Sequence, residues 1–242
     1  MGSVIVITSG KGGTGKTSLT GGVGASLALL GKQVLCLDGD VGLRNLDITL
    51  GMTDAALMDF SDVMAGRCDL SRAAAPHPTV SGLHLLTAPL TLPGDFPGEA
   101  GFQALLQQAR EAYDYVLIDS PAGLGPGFRL AVCGADRAIV VAVSDPSSLR
   151  DAQRVVTQLS QLETIHLVVN RVRPRLLRRQ NTTIDDAMDT AGCPCWALVP
   201  EDPKVVLAAT EGQSPGPVGG LGGGLSGPMK TSPAGSPANW YP

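Results

Sequence analysis

The chain predicts an α/β fold in which a mainly parallel sheet is doubly wound, with helices on both faces. Three observations carry this expectation. Short, almost wholly apolar runs alternate with stretches whose apolar residues recur every three or four positions, the pattern of covered parallel strands joined by crossover helices. Apolar residues make up 43% of the chain and aromatics only 4%, so the core must be built from Leu, Val, Ala and Ile, which buried strands favour. At 242 residues the chain is long for one domain but ordinary for this architecture.

Strands are expected at 4–8, 34–38, 83–87, 115–119, 138–143, 165–169 and 196–199. After the first comes a helical pattern with Leu19, Val23, Leu27 and Leu30 on one face. Residues 89–101 hold three prolines and three glycines and read as a surface loop. Phe102, Leu105, Leu106, Ala109 and Tyr113 mark the next helix, and Leu149, Ala152, Val156 and Leu159 another. Ligands of such sheets bind beyond the carboxyl ends of the strands. The segments that follow those ends, residues 10–17, 38–40, Asp119 and Asn170, are therefore expected along one edge although far apart in sequence.

The run Gly10-Lys11-Gly12-Gly13-Thr14-Gly15-Lys16-Thr17 fits the phosphate-loop pattern GxxxxGK[ST] at each fixed position and stands between a strand and a helix, the context the motif needs. Its glycines let the backbone curl so that successive N–H groups face phosphate oxygens, and the dipole of the following helix favours negative charge at its start. Lys16 is expected to bridge the terminal phosphates and Thr17 to ligate Mg2+, with Ser18 completing the phosphate-binding set. Asp38-Gly39-Asp40 and Tyr115-Val116-Leu117-Ile118-Asp119 each end a strand in acids that can face phosphate and metal. The second is a Walker B arrangement, with Asp119 expected to reach Mg2+ through water because that ion keeps part of its hydration shell. Aspartates two apart at a strand end also suit capping of the next helix.

Lys11 stands where the general pattern allows any residue, and with it Lys11-Gly12-Gly13-Thr14-Gly15-Lys16-Thr17 resembles the deviant Walker A motif of the MinD/ParA family of P-loop ATPases. Asp38-Gly39-Asp40-Val41-Gly42-Leu43-Arg44-Asn45-Leu46-Asp47, Asp119-Ser120-Pro121-Ala122-Gly123 and Ser147-Ser148-Leu149-Arg150-Asp151 are similar to motifs of its MinD branch. The resemblance spans about residues 3–213 and implies a P-loop NTPase of the SIMIBI type that binds ATP and Mg2+. It implies that Lys11 reaches across a nucleotide-sandwich homodimer to the partner's phosphates, the plainer alternative being contact with its own nucleotide alone. It further implies that Asp40 orients the attacking water and joins Thr17 and Asp119 around Mg2+, so that Lys11, Lys16 and Asp40 are the catalytic set. Asn45 belongs by the same resemblance to a first switch, and Ser120, Pro121, Ala122 and Gly123 to a second. Asp151 is implied at the dimer and partner surface, with an ordinary first-turn acid as the alternative. Asn170, Arg171, Pro200, Glu201 and Asp202 are implied as adenine contacts. The function implied is an ATP-hydrolysing, dimerising switch in division-septum placement, acting with a MinC-like inhibitor and an activating partner.

Two other readings stay beside it. Arg171, Arg173, Arg175, Arg178 and Arg179 crowd residues 171–179, which suits either a solvated face or the DNA backbone bound by a partition-type ATPase. Cys193-Pro194-Cys195 is the only close cysteine pair, and a metal-cluster carrier on the same fold would use such a pair, but with two intervening residues instead of one. The MinD-like motifs favour the first reading over both. Five cysteines in a chain whose start reads as a strand and not as a signal peptide point to the reducing cytoplasm. The net charge of −4 provides no overall attraction to nucleic acid or anionic lipid.

Composition divides the chain into a nucleotide-binding domain, residues 1–213, and a tail, residues 214–242, with eight glycines, six prolines and Lys230 as its one charge. Such a segment is expected to be flexible. The resemblance implies a peripheral membrane helix after this point, but the tail has neither an apolar nor a basic face, so membrane attachment is expected to be weak or absent.

Overall fold

A computed structural model describes residues 1–53, 55–173 and 183–202. The predicted tail, Arg175, Arg178 and Arg179 lie outside the described residues. Eight strands form one sheet in the order β3-β4-β2-β5-β1-β6-β7-β8. They are β1 (Ser3–Thr8), β2 (Val34–Asp38), β3 (Ala75–Pro76), β4 (Leu83–Leu86), β5 (Tyr115–Asp119), β6 (Arg137–Val143), β7 (Thr164–Val172) and β8 (Cys195–Pro200). Each neighbouring pair is parallel except β3 with β4. The doubly wound, mainly parallel α/β sheet expected from the sequence is therefore present.

Alternation along the strands explains the two layers. Val4 and Val6, Leu35 and Leu37, Val116 and Ile118, and Val140 and Ala142 face one core, which α5 (Gly98–Ala112), α6 (Pro126–Val132) and α7 (Pro146–Gln158) cover with Phe102, Phe128 and Leu149 among others. The residues between them, Ile7, Cys36, Leu117 and Val141, face a second core under α1 (Lys16–Leu29) and α2 (Leu46–Leu50). Two short helices, α3 (Phe60–Met64) and α4 (Leu70–Ala73), and a C-terminal α8 (Ile184–Ala191) complete the described elements.

Three expectations are corrected. Of the expected face of α1, Leu19 is buried and Val23 and Leu27 pack against the core, but Leu30 is 77% exposed, and Gly21, Gly24, Ala25 and Ala28 are buried as well. A Cβ at Gly24 would stand 2.4 Å from Cys36 Sγ, so the helix backbone itself lies on the sheet. Its glycines sacrifice about 1 kcal/mol each of helix propensity for that approach. Residues 89–101 are not loop throughout, since α5 begins at Gly98. Gly101 serves close packing there, a Cβ at that position falling 2.5 Å from Pro97 Cβ. Lastly, α2, α3, α4 and β3 are short elements that no periodicity announces.

Candidate nucleotide-binding site

The carboxyl ends of β1, β2 and β5 meet at one edge, and register places Asp38 directly beside Asp119. Between β1 and α1 the loop of residues 10–17 turns through two left-handed glycines, Gly13 at φ 77° and Gly15 at φ 90°. Gly15 is required twice over: besides its backbone angle, a Cβ would lie 2.3 Å from Asn170 Nδ2. That amide donates to the Thr14 carbonyl at 2.8 Å, and Asn170 Oδ1 accepts from the Arg171 N–H. Asn170 thus braces the loop from the end of β7. At the start of α1 no described side chain caps the helix and no acid occupies the first turn, a helix start suited to an anion. The buried Thr14 hydroxyl has no hydrogen-bond partner among the described residues.

Lys16 is almost buried at the foot of the loop, and its charge acts on both Asp40 and Asp119. Burial pushes Asp119 up to about 7, against the opposing effects of the Thr17 hydroxyl bonded to it, of Lys16 and of Thr20, whose Oγ1 is 3.3 Å away. Asp38 is likewise raised by burial to about 6, although it accepts the backbone N–H groups of Asp40 at 2.9 Å and Leu46 at 3.1 Å. Burial raises Asp40 too, with Lys16 opposing. Two of the three carboxylates, Asp40 and Asp119, therefore share one buried ammonium. The donor set, two acids and a threonine hydroxyl, consists of hard oxygens suited to Mg2+. Among the described residues no three His, Cys, Asp or Glu side chains form a preformed cage.

The remaining predicted residues lie around this centre. Gly10 is pressed against α7, where a Cβ would be 2.5 Å from the Asp151 carbonyl; the Asp151 side chain itself pairs with Arg154 at 3.5 Å. Gly12 has open space around it, and Ser18 lies on α1. Lys11 Nζ sits 3.2 and 3.1 Å from the two Asp145 carboxylate oxygens. Asn45 precedes α2 without capping it through its side chain. Arg44 just before it holds a left-handed φ of 47° and donates to Thr87 Oγ1 at 2.5 Å. Ser120 is buried, its N–H bonded to the Ile7 carbonyl, while the Gly123 N–H donates to Ser9. Pro121 and Ala122 line an open cavity of about 230 Å³ with Asp40, Val41 and Phe128, so part of the segment read as the second switch shares a cleft with Asp40; Asn45 does not line it. Pro200 ends β8; Glu201 and Asp202 follow it, Glu201 pairing in bidentate fashion with Arg173 and donating its N–H to Val172.

Sequence reasoning passed over Asp38, Thr20 and Asp145 as individual participants. Asp38 was visible as the strand-end acid two before Asp40. Asp145-Pro146 signals a helix start, but nothing in its spacing points to Lys11. Cys193 is buried in the first core and Cys195 packs against it, and burial pushes the Cys193 thiol up to about 11.

Comparison with known proteins places this geometry in a family. The CobQ/CobB/MinD/ParA nucleotide binding domain matches residues 5–215. The septum site-determining protein MinD of Synechocystis is 38% identical over 216 residues, covering 88% of this chain and 81% of its own. MinD of Bacillus subtilis is 38% identical over 218 residues, with the same coverage. Among solved structures, the MinC:MinD cell division complex of Aquifex aeolicus superposes with a TM-score of 0.80 at 37% identity, covering 87% of this chain and 86% of that one. MinD of Pyrococcus horikoshii complexed with Mg-ADP reaches 0.75 at 30% identity over 88% of this chain and 87% of its own. The phosphate loop, the strand-end carboxylates and these similarities together establish that the chain belongs to the MinD septum-site ATPases of the MinD/ParA family.

Proposed function

We propose that this chain is a Mg-ATP-dependent switch that dimerises around ATP, hydrolyses it slowly to ADP and phosphate, and acts in placement of the division septum. One observation carries the reading: a loop with left-handed glycines leads into α1, whose buried Lys16 acts by its charge on both Asp40 and Asp119, with Thr17 bonded to Asp119. The backbone N–H groups of residues 10–17 bind the phosphates, and Lys16 offsets their charge. Thr17, Asp40 and Asp119 are the groups that would hold Mg2+, which when bound supplies charge neutralisation at the phosphates. Asp40 orients the attacking water, and Lys11 adds positive charge at the terminal phosphate across the dimer. Asn45 and residues 120–123 sense that phosphate, Pro121 and Ala122 doing so from the cleft they share with Asp40. Asn170, Arg171, Pro200, Glu201 and Asp202 form the adenine end at the tips of β7 and β8.

Partners follow from the family. The Aquifex relative is found in a complex with MinC, which supports a MinC-like inhibitor as partner, and the Pyrococcus relative with Mg-ADP supports the ligands. Asp151 on α7 stands at the proposed partner surface. The reading places the chain in the cytoplasm. No described helix is long and apolar enough to cross a membrane. Calorimetric titration with Mg-ATP, followed by a phosphate-release assay, tests the site. Lys16→Ala should weaken binding by about 2–5 kcal/mol, since it leaves buried carboxylates and phosphates without their shared cation. Unchanged affinity would rule out the assigned site.

A further inference from the structure

We infer that His77 is a positioning residue for the first switch: its imidazole ties the far end of α2 to the turn before β4, and so fixes where α2 and Asn45 ahead of it can sit. The inference rests on the reading of Asn45 as a switch residue and adds a residue outside every motif considered above. Helix α2 has five residues, too few to be stable by itself, so its neighbours impose its place. At one end Asp38 accepts the Leu46 N–H at 3.1 Å, tying α2 to the carboxyl end of β2. At the other end the carbonyl of Leu50, the last residue of the helix, meets His77 Nε2 at 3.1 Å. Along its flank α2 lies against α1, the helix that starts with Lys16 and Thr17: a Cβ at Gly21 would stand 3.1 Å from Thr49 Cγ2 and 3.2 Å from Leu50 Cδ2.

The imidazole is itself held by the turn. Its Nδ1 faces two backbone donors, the Thr79 N–H at 3.2 Å and the Val80 N–H at 3.1 Å. Nδ1 is therefore the acceptor, which leaves the proton of a neutral ring on Nε2, donated to the Leu50 carbonyl. Burial lowers the pKa of His77, in keeping with the neutral form. The His77 N–H donates to the Leu83 carbonyl at 2.8 Å, which joins the turn to the first residue of β4. His77 is buried, so solvent does not make good a bond lost here. Leu46 and Leu50 are fully buried, and their packing draws α2 onto the sheet without fixing it in any one direction. The hydrogen bonds at its two ends supply that direction.

Two substitutions separate the halves of this strut. His77→Gln keeps a donor at the place of Nε2 and loses the acceptor at Nδ1, whereas His77→Asn keeps an acceptor at the place of Nδ1 and loses the donor to Leu50. The readouts are hydrogen exchange with Mg-AMP-PNP bound, calorimetric titration with the same nucleotide, and steady-state ATP hydrolysis. His77→Asn should speed exchange over residues 45–52 about 3- to 10-fold, as loss of one buried hydrogen bond allows, while residues 78–83 exchange as in the native chain. Its kcat should fall roughly 3- to 10-fold, the effect of a displacement well short of the ~1 Å that costs about a hundredfold. Its Kd for Mg-AMP-PNP should stay within about twofold of the native value, because the phosphate loop is untouched. His77→Gln should reverse the exchange pattern and keep the native kcat. A histidine that served stability alone would not split the two variants in this way. Native kcat in His77→Asn overturns the proposal, as does an equal loss of kcat in both variants. So does faster exchange over residues 45–52 in His77→Gln, which decides the matter by itself should the Asn variant fold poorly. Failure of the switch reading shows separately, in the native chain, as exchange over residues 45–52 that is the same with Mg-ADP and Mg-AMP-PNP.

Discussion

The two ends of the sheet treat aspartate in opposite ways. At the carboxyl edge Asp38, Asp40 and Asp119 are all pushed upward by burial, and the one cation among them, Lys16, does not offset it. At the amino edge Asp136 is held below the usual carboxylate range although it too is partly buried. There Arg110 forks onto both Asp136 oxygens at 2.6 and 2.7 Å, the Val4 N–H donates at 2.9 Å, and the remaining guanidinium donors reach the Gly2 and Gly134 carbonyls. One end fastens β1, α5 and the turn into β6 with matched charge. The other gathers acids whose charged form burial disfavours, the environment of a candidate ligand site. The same residue type is a fastener at one end and a candidate ligand at the other, and local pairing decides which.

The contrast can be broken at its stabilising end first. Arg110→Ala should cost about 2–3 kcal/mol in chemical denaturation, because it leaves a partly buried carboxylate and two carbonyls short of donors. Mg-ATP affinity should be unaffected. Since the folded carboxyl of Asp136 titrates below its unfolded value of 3.8, its contribution is present above that pH and is lost as pH falls through the folded value. The deficit of Arg110→Ala should therefore shrink below about pH 3.8. A deficit that stays constant on acidification would show that packing, not the charge pair, makes the fastening.

At the other end the sign should reverse. Asp119→Asn should raise the stability of the protein in the absence of Mg-nucleotide by about 1–2 kcal/mol, as it removes a charge that burial penalises. It should also abolish the melting-temperature gain produced by Mg-ATP. Loss of stability in this variant would mean that Asp119 is held for structure, and the comparison of the two ends would fail. The smallest effect expected concerns neither end: co-sedimentation of the 242-residue chain with anionic liposomes should be slight with or without ATP. Residues 214–242 scatter Leu221, Leu225, Met229, Trp240 and Tyr241 among glycines and prolines with one lysine. Strong ATP-dependent pelleting would reveal an anchor elsewhere on the chain.

Much of this was legible in the amino-acid sequence because it depends on spacing along one segment. Apolar runs ending in Asp38, Asp119 and Asn170 predicted strands, their burial and the edge at which these residues gather, all of which the sheet order and register bear out. The phosphate loop was legible for the same reason, as eight consecutive residues contain its turn, its lysine and its helix start. What only the tertiary structure decided are relations between segments that share no period. Asn170 braces Thr14 across 156 positions, and Asp145 holds Lys11 across 134. The glycines of α1 read as weak helix until Cys36 is seen beneath them, and Gly101 reads as loop until Pro97 lies against it. Local sequence can state which side chains carry charge, but whether a charge is fastened, shared or waiting for a cation depends on what the fold brings within about 4 Å of it.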